Sequence, residues 1–236
     1  MPETPDYHER SIPSTPGGVT DSGGPTRPAT PLERETLRTL AARKREIGEL
    51  PAQAETAALW RKLNSLEPVR PLVWMNEIPW HEMNVDDELT CVCEDPYLKA
   101  VEWSLRSELY QWDHMRCDMV VDPVMYVRYV CGPTSTYADF GMTEKYSDYD
   151  HSSEMELGRN PIGESAIHGS VNYENSIQNL DDVNRMRTPE VWFNKEETDR
   201  RFTVLSEVLD GILPVQTIGI EHQWFSPWDQ MIHWYG

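Results

Sequence analysis

The sequence is short of basic residues. It has 21 Lys and Arg against 40 Asp and Glu, a formal net charge of −19. A nucleic-acid backbone or an anionic membrane surface binds a basic face, so neither class of partner is expected. Apolar runs are also short, and none approaches the ~18 residues of a membrane-spanning helix. The N terminus lacks the basic and apolar regions of a secretory signal.

Cysteines and glycine-rich motifs are scarce as well. Four cysteines are too few for a disulfide scaffold, so the cytoplasm is the expected compartment. One residue separates Cys91 from Cys93, and Cys117 and Cys131 lie elsewhere, so the paired spacing of a structural zinc site is missing. A phosphate-binding glycine loop, a nucleophile elbow and a dinucleotide fingerprint are also missing, which excludes the chemistry that depends on them.

The chain nevertheless has enough apolar residues for a core, because 39% of it is hydrophobic and it holds nine Trp. Residues 1–31 differ from the rest, since seven of the 18 prolines lie there and their apolar residues have no period. Such a segment cannot offset its ordering entropy. The composition therefore predicts a disordered tail over residues 1–30.

Two helices are predicted next. Thr30, Pro31 and Glu33 form the pattern of a capping box with proline at the first helical position. Pro51 ends this helix, and apolar spacing predicts a second helix over residues 52–66. We expect a helical hairpin, residues 31–67, on the outside of a larger domain that starts at residue 68.

The body begins as strand, helix, strand. Residues 72–75 and 119–121 are short apolar runs bounded by prolines or Asp-Pro, which is typical of buried strands. Asp95-Pro96 starts a helix over about residues 96–111, with apolar residues at 3-4-4 spacing. Two buried strands joined by a long helix favour a parallel βαβ unit.

The second half alternates between polar and regular sequence. Residues 132–180 lack periodicity, and their length predicts a lid or a contact in a homodimer. Asn194 then caps a helix that ends near Gly211, and residues 213–219 read as a strand. The aromatic stretch 224–235 includes the start of a further helix.

Several phrases of the body resemble a branch of the uroporphyrinogen decarboxylase-like superfamily. They are RPLVWMNEIPWHEM at 70–83, YQWDHM at 110–115, DMVVDP at 118–123, DGILP at 210–214 and WFSPWD at 224–229. The resemblance covers about residues 32–236 and corresponds to the N-terminal half of such a protein. It implies an α/β fold, a partial (β/α)8 TIM-type barrel of three or four strands.

The resemblance also implies a function. The superfamily contains methyltransferases of corrinoid-dependent methyl transfer, so we expect a methyltransferase that acts on a small methylated substrate with a corrinoid-carrying partner protein, and zinc as a candidate metal. The zinc ligands of these enzymes, a His-x-Cys and a distant Cys, lie late in the barrel, so no metal ligand is assigned here. Alternatives are a decarboxylase (lyase) of a carboxylated, tetrapyrrole-like ligand and a non-catalytic binding protein on the same barrel.

Site residues follow from the rule that a (β/α)8 barrel builds its active site at the carboxyl ends of its strands. Applied to the predicted strands, the rule gives Glu77, His81 and Asp122 as catalytic residues, suited to acid–base work or to holding a divalent metal. The expected substrate-binding residues are Asn76, His222, Trp224 and Trp228. In the structural alternative, Glu77 and His81 only fix their loop, and the tryptophans are core residues.

Overall fold

A computed structural model describes residues 24–132, 140–142, 173, 175–219 and 227–235. These residues form helices and a few short strands, so the mixed helix-and-strand class is confirmed. In chain order the elements are α1 (Pro31–Gly48), α2 (Pro51–Asn64), α3 (Trp80–Met83), α4 (Pro96–His114), β1 (Met125–Arg128), β2 (Cys131–Gly132), α5 (Leu180–Val183), β3 (Trp192–Phe193), α6 (Lys195–Leu209), β4 (Val215–Ile218) and α7 (Pro227–Tyr235).

The first two helices begin where the sequence predicts. The Thr30 side chain accepts a hydrogen bond from the Glu33 N–H, and the Glu33 carboxylate accepts one from the Thr30 N–H, which completes the capping box of α1. Pro51 is the first residue of α2. The first helix, α1, packs against α4, and its apolar residues Leu37 and Ala41 are buried.

The main core forms around α4. Its residues at 3-4-4 spacing, Leu98, Val101, Leu105 and Leu109, are all buried, which confirms the predicted helix. They pack with apolar residues of α1, β1 and α6, among them Leu37, Ala41, Met125, Leu205 and Leu209. Arg38 of α1 donates to the carbonyl oxygens of Val208 and Asp210, and thereby satisfies the C-terminal end of α6.

The described strands form two small open sheets. Met125 N–H donates to the Pro214 carbonyl and Tyr129 N–H to the Ile218 carbonyl. The bonded positions advance in the same direction along the two strands, so β1 and β4 are parallel. The other sheet pairs β2 with β3 in antiparallel register. The strand predicted at 213–219 is thus confirmed, whereas these strands do not close a barrel, and the partial barrel stays a prediction.

Two predicted strands are wrong. Residues 72–75 and 119–121 are irregular, and the strand near the second position starts only after Pro123. Side chains take the backbone donors that a sheet would need: Val73 N–H donates to the Asp118 carboxylate at 2.9 Å, and Val121 N–H donates to the Gln53 Oε1 at 2.8 Å. Both runs are irregular chain, the second mostly buried and the first half-buried or exposed. The predicted βαβ unit at 72–122 is therefore not formed.

The chain divides into two compact units. One comprises residues 1–127 and 201–216, and the other residues 128–200 and 217–236. The predicted boundary between lead-in and body, at 67–68, falls inside the first unit. The predicted tail up to residue 23 and most of the predicted excursion 132–180 lie outside the described residues.

Candidate functional site

The segment that carries the first predicted site residues runs along α4. The Gln111 side chain donates to the Met75 carbonyl at 2.8 Å. Further along, the ring of Trp80 meets those of Trp103 and Tyr110 edge-on, with centroids 6.0 and 6.2 Å away. Between these two anchors the side chains of Asn76 and Glu77 are exposed. The segment is thus held by its apolar residues and its backbone.

The described residues show no direct contact that joins the predicted catalytic residues, and their shared site stays a prediction. Glu77, His81 and Asp122 are exposed, and within the described part of the chain no hydrogen bond or ion pair joins Glu77 to Asp122. Since neither residue follows a strand, the strand-end rule that paired them does not apply. His81 lies 3.4 Å from the neighbouring Glu82 carboxylate, an arrangement in keeping with the loop-fixing alternative.

The predicted substrate-binding residues are only partly described. His222 and Trp224 lie outside the described residues. Trp228 is 75% exposed on α7, where it shares one helix face with the exposed Met231, Ile232 and Tyr235. The opposite face of α7 packs on its own unit, with Trp234 edge-on to Phe140. Trp228 therefore lines no enclosed pocket formed by described residues.

The Glu33 carboxylate accepts hydrogen bonds from both side chain and backbone donors in the first unit. Arg27 donates to it through both terminal nitrogens, at 2.6 and 2.9 Å. The N–H groups of Thr30, Glu94 and Asp95 also donate to it. The hydrogen bonds from Arg27, and then those from the backbone, hold the pKa of this carboxyl well below its usual range despite its burial.

Asp95 continues this cluster at the start of α4. Burial alone would raise its pKa, but hydrogen bonds from the Thr26 hydroxyl and N–H, and from the N–H groups of Leu98 and Tyr97, lower it. Residues 26 and 27 are therefore attached to α1 and α4. This places the start of specific contacts before residue 30, the predicted end of the tail.

Glu102 and the cysteines form a third buried group. The Glu102 carboxylate accepts from the N–H groups of Val92 and Cys93 and from Arg106. Burial raises the pKa of the Cys91 thiol to about 12 and also raises that of Cys93. Both thiols are therefore protonated and poor nucleophiles at neutral pH. Cys131 is partly buried and Cys117 is exposed.

Lys44 and Glu108 form a buried ion pair between α1 and α4, with nitrogen and oxygen 2.7 Å apart. Burial raises the pKa of Glu108, Lys44 opposes that shift, and the charge of Asp122 adds to it. The negative charge of Asp122 thus contributes to the raised pKa of Glu108, a member of this ion pair. In the part of this unit that the structure describes, four buried carboxylates accept hydrogen bonds from protein groups: Glu33, Asp95, Glu102 and Glu108.

An apolar groove lies beside this framework. Its walls are Ala57 and Trp60 of α2, Trp74 and Val120, and its volume is about 390 Å³. The rings of Trp60 and Trp74 meet edge-on, with centroids 6.4 Å apart and planes at 77°. The groove is shallow and open to solvent, and its walls are apolar and aromatic.

Asp118 holds the walls of the groove in place. Its carbonyl accepts from the Trp60 Nε1–H at 2.7 Å, and its carboxylate accepts from Val73 N–H and from Arg70. The contact with Arg70 and then that with Val73 lower the pKa of Asp118 to about 2. The indole N–H of Trp60 is thus already used, and its ring is left to present an apolar surface.

This groove was not predicted from the sequence. Trp60 falls in the helix predicted over residues 52–66 and Trp74 in the strand predicted at 72–75, and nothing in the spacing of residues 57, 74 and 120 links them. The one available signal was the number of tryptophans, nine in 236 residues. The wall residues come together because residues 72–75 and 119–121 are irregular chain beside α2 and are not strands of a sheet.

Searches of protein-family models, curated proteins and solved structures find no match to this chain. Within the described ranges, no helix is long and apolar enough to cross a membrane. In the same part of the chain, no group of three or more His, Cys, Asp or Glu is arranged to hold a metal ion.

Proposed function

We propose that this chain is a binding protein for a small, planar, apolar molecule, and that the molecule sits against Trp60 and Trp74. The groove of about 390 Å³ carries the proposal. Its walls are apolar, and an aromatic ring can stack or meet edge-on with either indole. This proposal corresponds to the alternative of a non-catalytic binding protein.

The chemistry of the polar groups supports binding over catalysis. An acid–base catalyst needs a titratable group within reach of its substrate, and the walls of this groove carry none. The buried carboxylates of Glu33, Asp95 and Glu102 are occupied by structural hydrogen bonds. The buried thiols are protonated at neutral pH.

The test is a titration of ¹⁵N-labelled protein with indane, a neutral bicyclic hydrocarbon. We expect the indole N–H signals of Trp60 and Trp74, assigned with Trp60→Phe and Trp74→Phe, to shift in a saturable way. The indole N–H signal of Trp103, assigned with Trp103→Phe, is the control. Trp103 packs on Trp80 and is not a wall residue of the groove, so its signal should not shift. Unchanged signals for both wall tryptophans at saturating indane would refute the proposal.

A steric variant sharpens this test. Ala57→Leu puts a larger side chain in the groove wall and should weaken indane binding. Ala58→Leu makes the same change at the next, exposed position of α2 and should leave binding intact. Equal affinities for the two variants would place the indane elsewhere on the protein.

The resemblance to the uroporphyrinogen decarboxylase-like superfamily supports a second candidate, a methyltransferase with a corrinoid-carrying partner and zinc, or a decarboxylase of a tetrapyrrole-like ligand. Its support is the parallel β1 and β4 with α6 leading into β4, a pattern that (β/α)8 barrels share with other α/β folds. A cytoplasmic location, with four free thiols, and a homodimer belong to this proposal.

Methylcobalamin with a thiol acceptor and added zinc tests this candidate. The candidate expects loss of the methylcobalamin absorbance, slowed at least tenfold by Glu77→Gln or Asp122→Asn with no matching loss of stability. A wild-type rate equal to the rate without protein would count against this candidate. Rates in both variants equal to the wild-type rate would also count against it.

A further inference from the structure

The two tryptophan rings of the groove present flat apolar surfaces at nearly a right angle. The ring planes of Trp60 and Trp74 meet at 77°, and the groove between them is open to solvent. Polyproline II segments dock on surfaces of this kind, because they lie in open grooves with aromatic walls and their conformation is already formed before binding. The groove is therefore suited to a proline-rich segment as well as to a small molecule.

The chain itself carries two segments of the PxxP pattern ahead of the described residues. One is Pro13-Ser-Thr-Pro16, which follows Ile12 and precedes two glycines. It has no charged residue, which suits an uncharged groove in a chain with a net charge of −19. The other runs from Pro2 to Pro5, and it contains Glu3 and precedes Asp6. The uncharged segment is therefore the better match to the groove.

This segment is close enough in sequence to reach the groove. Thr26 is bonded to Asp95, the N-cap of α4. At the other end of α4, Trp74 packs against the apolar cluster that contains Trp112. The 19 residues of α4 span ~28 Å. An extended chain covers ~33 Å over the ten positions from the end of the segment to Thr26, so the tail is long enough.

We propose that residues 13–16 of this chain dock in the groove against Trp60 and Trp74, and thereby compete with its small-molecule ligand. The competition rests on the proposed binding function, whereas the docking does not. A shallow apolar groove gives a free peptide little affinity, but the covalent link raises the local concentration of the segment into the millimolar range. The ligand therefore has to displace an inhibitor that the protein carries itself.

The experiment compares the full chain with its variant Pro13→Ala/Pro16→Ala in the ¹⁵N-labelled form, without indane and during titration with it. Alanine removes both proline rings and their preference for polyproline II. Without indane, the variant should shift the indole N–H signals of Trp60 and Trp74. Its affinity for indane should be about tenfold higher than that of wild type, as expected if the segment occupies about nine-tenths of the wild-type grooves.

The matched control is Pro2→Ala/Pro5→Ala, which removes the other PxxP pair from the same tail. It should keep the wild-type signals and the wild-type affinity for indane. Changes of equal size in both double variants would overturn the assignment to residues 13–16. Wild-type wall signals that change with protein concentration, from about 20 to 500 µM, would mean that a second copy supplies the segment. That result would overturn the contact within one chain.

The outcomes separate the two proposals. If indane shifts the signals of Trp60 and Trp74 but both double variants behave like wild type, the docking of the tail is overturned and the ligand groove remains. If Pro13→Ala/Pro16→Ala alone shifts the wall signals while indane shifts them in no variant, the binding function falls and the docking stands. If neither change shifts them, both proposals fall.

Discussion

Leu66 adopts a left-handed backbone conformation, with φ of 61°. It follows the C-cap residue Ser65 of α2, where Leu66 N–H donates to the Leu63 carbonyl and Glu67 N–H to the Lys62 carbonyl. This is the geometry of a Schellman motif, a position that favours glycine. The side chain is 92% exposed, so it contributes little packing to offset the strain.

Leu66→Gly is therefore expected to raise the free energy of unfolding by about 1 kcal/mol, since glycine adopts this conformation without a Cβ clash. Urea denaturation measures the change. Leu66→Ala is the matched control; it retains a Cβ and should change stability by less than about 0.5 kcal/mol. A destabilised Leu66→Gly would mean that the exposed side chain makes contacts that matter.

Glu33 should govern part of the acid sensitivity of the protein. Its pKa is lowered in the folded state from an ordinary value of 4.5. Its contribution to stability is thus fully present above that value and is lost as the pH falls through the lower, folded pKa. Glu33→Gln should cost about 2 kcal/mol at pH 7, and the cost should shrink steadily below pH ~4.5.

The measurement is urea unfolding of wild type and Glu33→Gln across that pH range. Glu35→Gln, at an exposed position of the same helix, is the control and should track wild type. A cost for Glu33→Gln that stays constant down to pH ~2 would contradict this assignment of the acid sensitivity.

At the scale of elements, the α1–α4 interface contains the buried pair Lys44–Glu108. Removal of one partner leaves an uncompensated buried group, so Lys44→Met should cost about 3–5 kcal/mol at neutral pH. The pKa of Glu108 is already raised, and this carboxyl is neutral below that pKa. The cost of Lys44→Met should therefore grow as the pH rises through it.

The double variant Lys44→Met/Glu108→Leu should recover most of the lost stability, because apolar side chains of similar volume replace the pair. A double-mutant cycle in urea gives the coupling energy. Additive losses in the double variant would show that the interface depends on each residue separately and that the ion pair contributes nothing.

Helices were predictable from the sequence and strands much less so. The capping box at Thr30, the Asp95-Pro96 start and the glycine at 211, with φ of 73°, are local signals, and local hydrogen bonds satisfy them. An apolar run such as residues 72–75 shows only that the segment is apolar, and in the structure Val73 of this run is 52% exposed. Whether such a run joins a sheet depends on partners remote in sequence. Here the Asp118 carboxylate accepts from Val73 N–H, and the Gln53 side chain accepts from Val121 N–H in the second run.

At the scale of the whole molecule, the formal net charge is −19. The wall residues of the groove carry no charge. An anionic ligand of the same ring shape, such as indane-1-carboxylate, should bind more weakly than indane at low salt. The difference should narrow between about 20 and 500 mM NaCl, where the Debye length falls to a few ångströms. Titrations at both salt concentrations measure it. Tighter binding of the anion at low salt would mean that Arg70 outweighs the overall field.

The candidate site was hidden from the sequence for a related reason. Its walls come from residues 57, 60, 74 and 120, and no local pattern joins these positions. The predicted catalytic set relied on a sheet whose first two strands are absent from the described fold. The strand-end argument that paired Glu77 with Asp122 therefore loses its basis, and a shared site for them stays a prediction.

The unequal shielding of the four cysteines gives this molecule a ready chemical handle. Cys117 is exposed, whereas Cys91 and Cys93 hold protonated, shielded thiols and Cys131 is partly buried. A maleimide dye should therefore attach first at Cys117, without prior engineering. Cys117 immediately precedes Asp118, whose carbonyl holds Trp60. A dye there would stand beside the groove and give an optical signal when a molecule enters it.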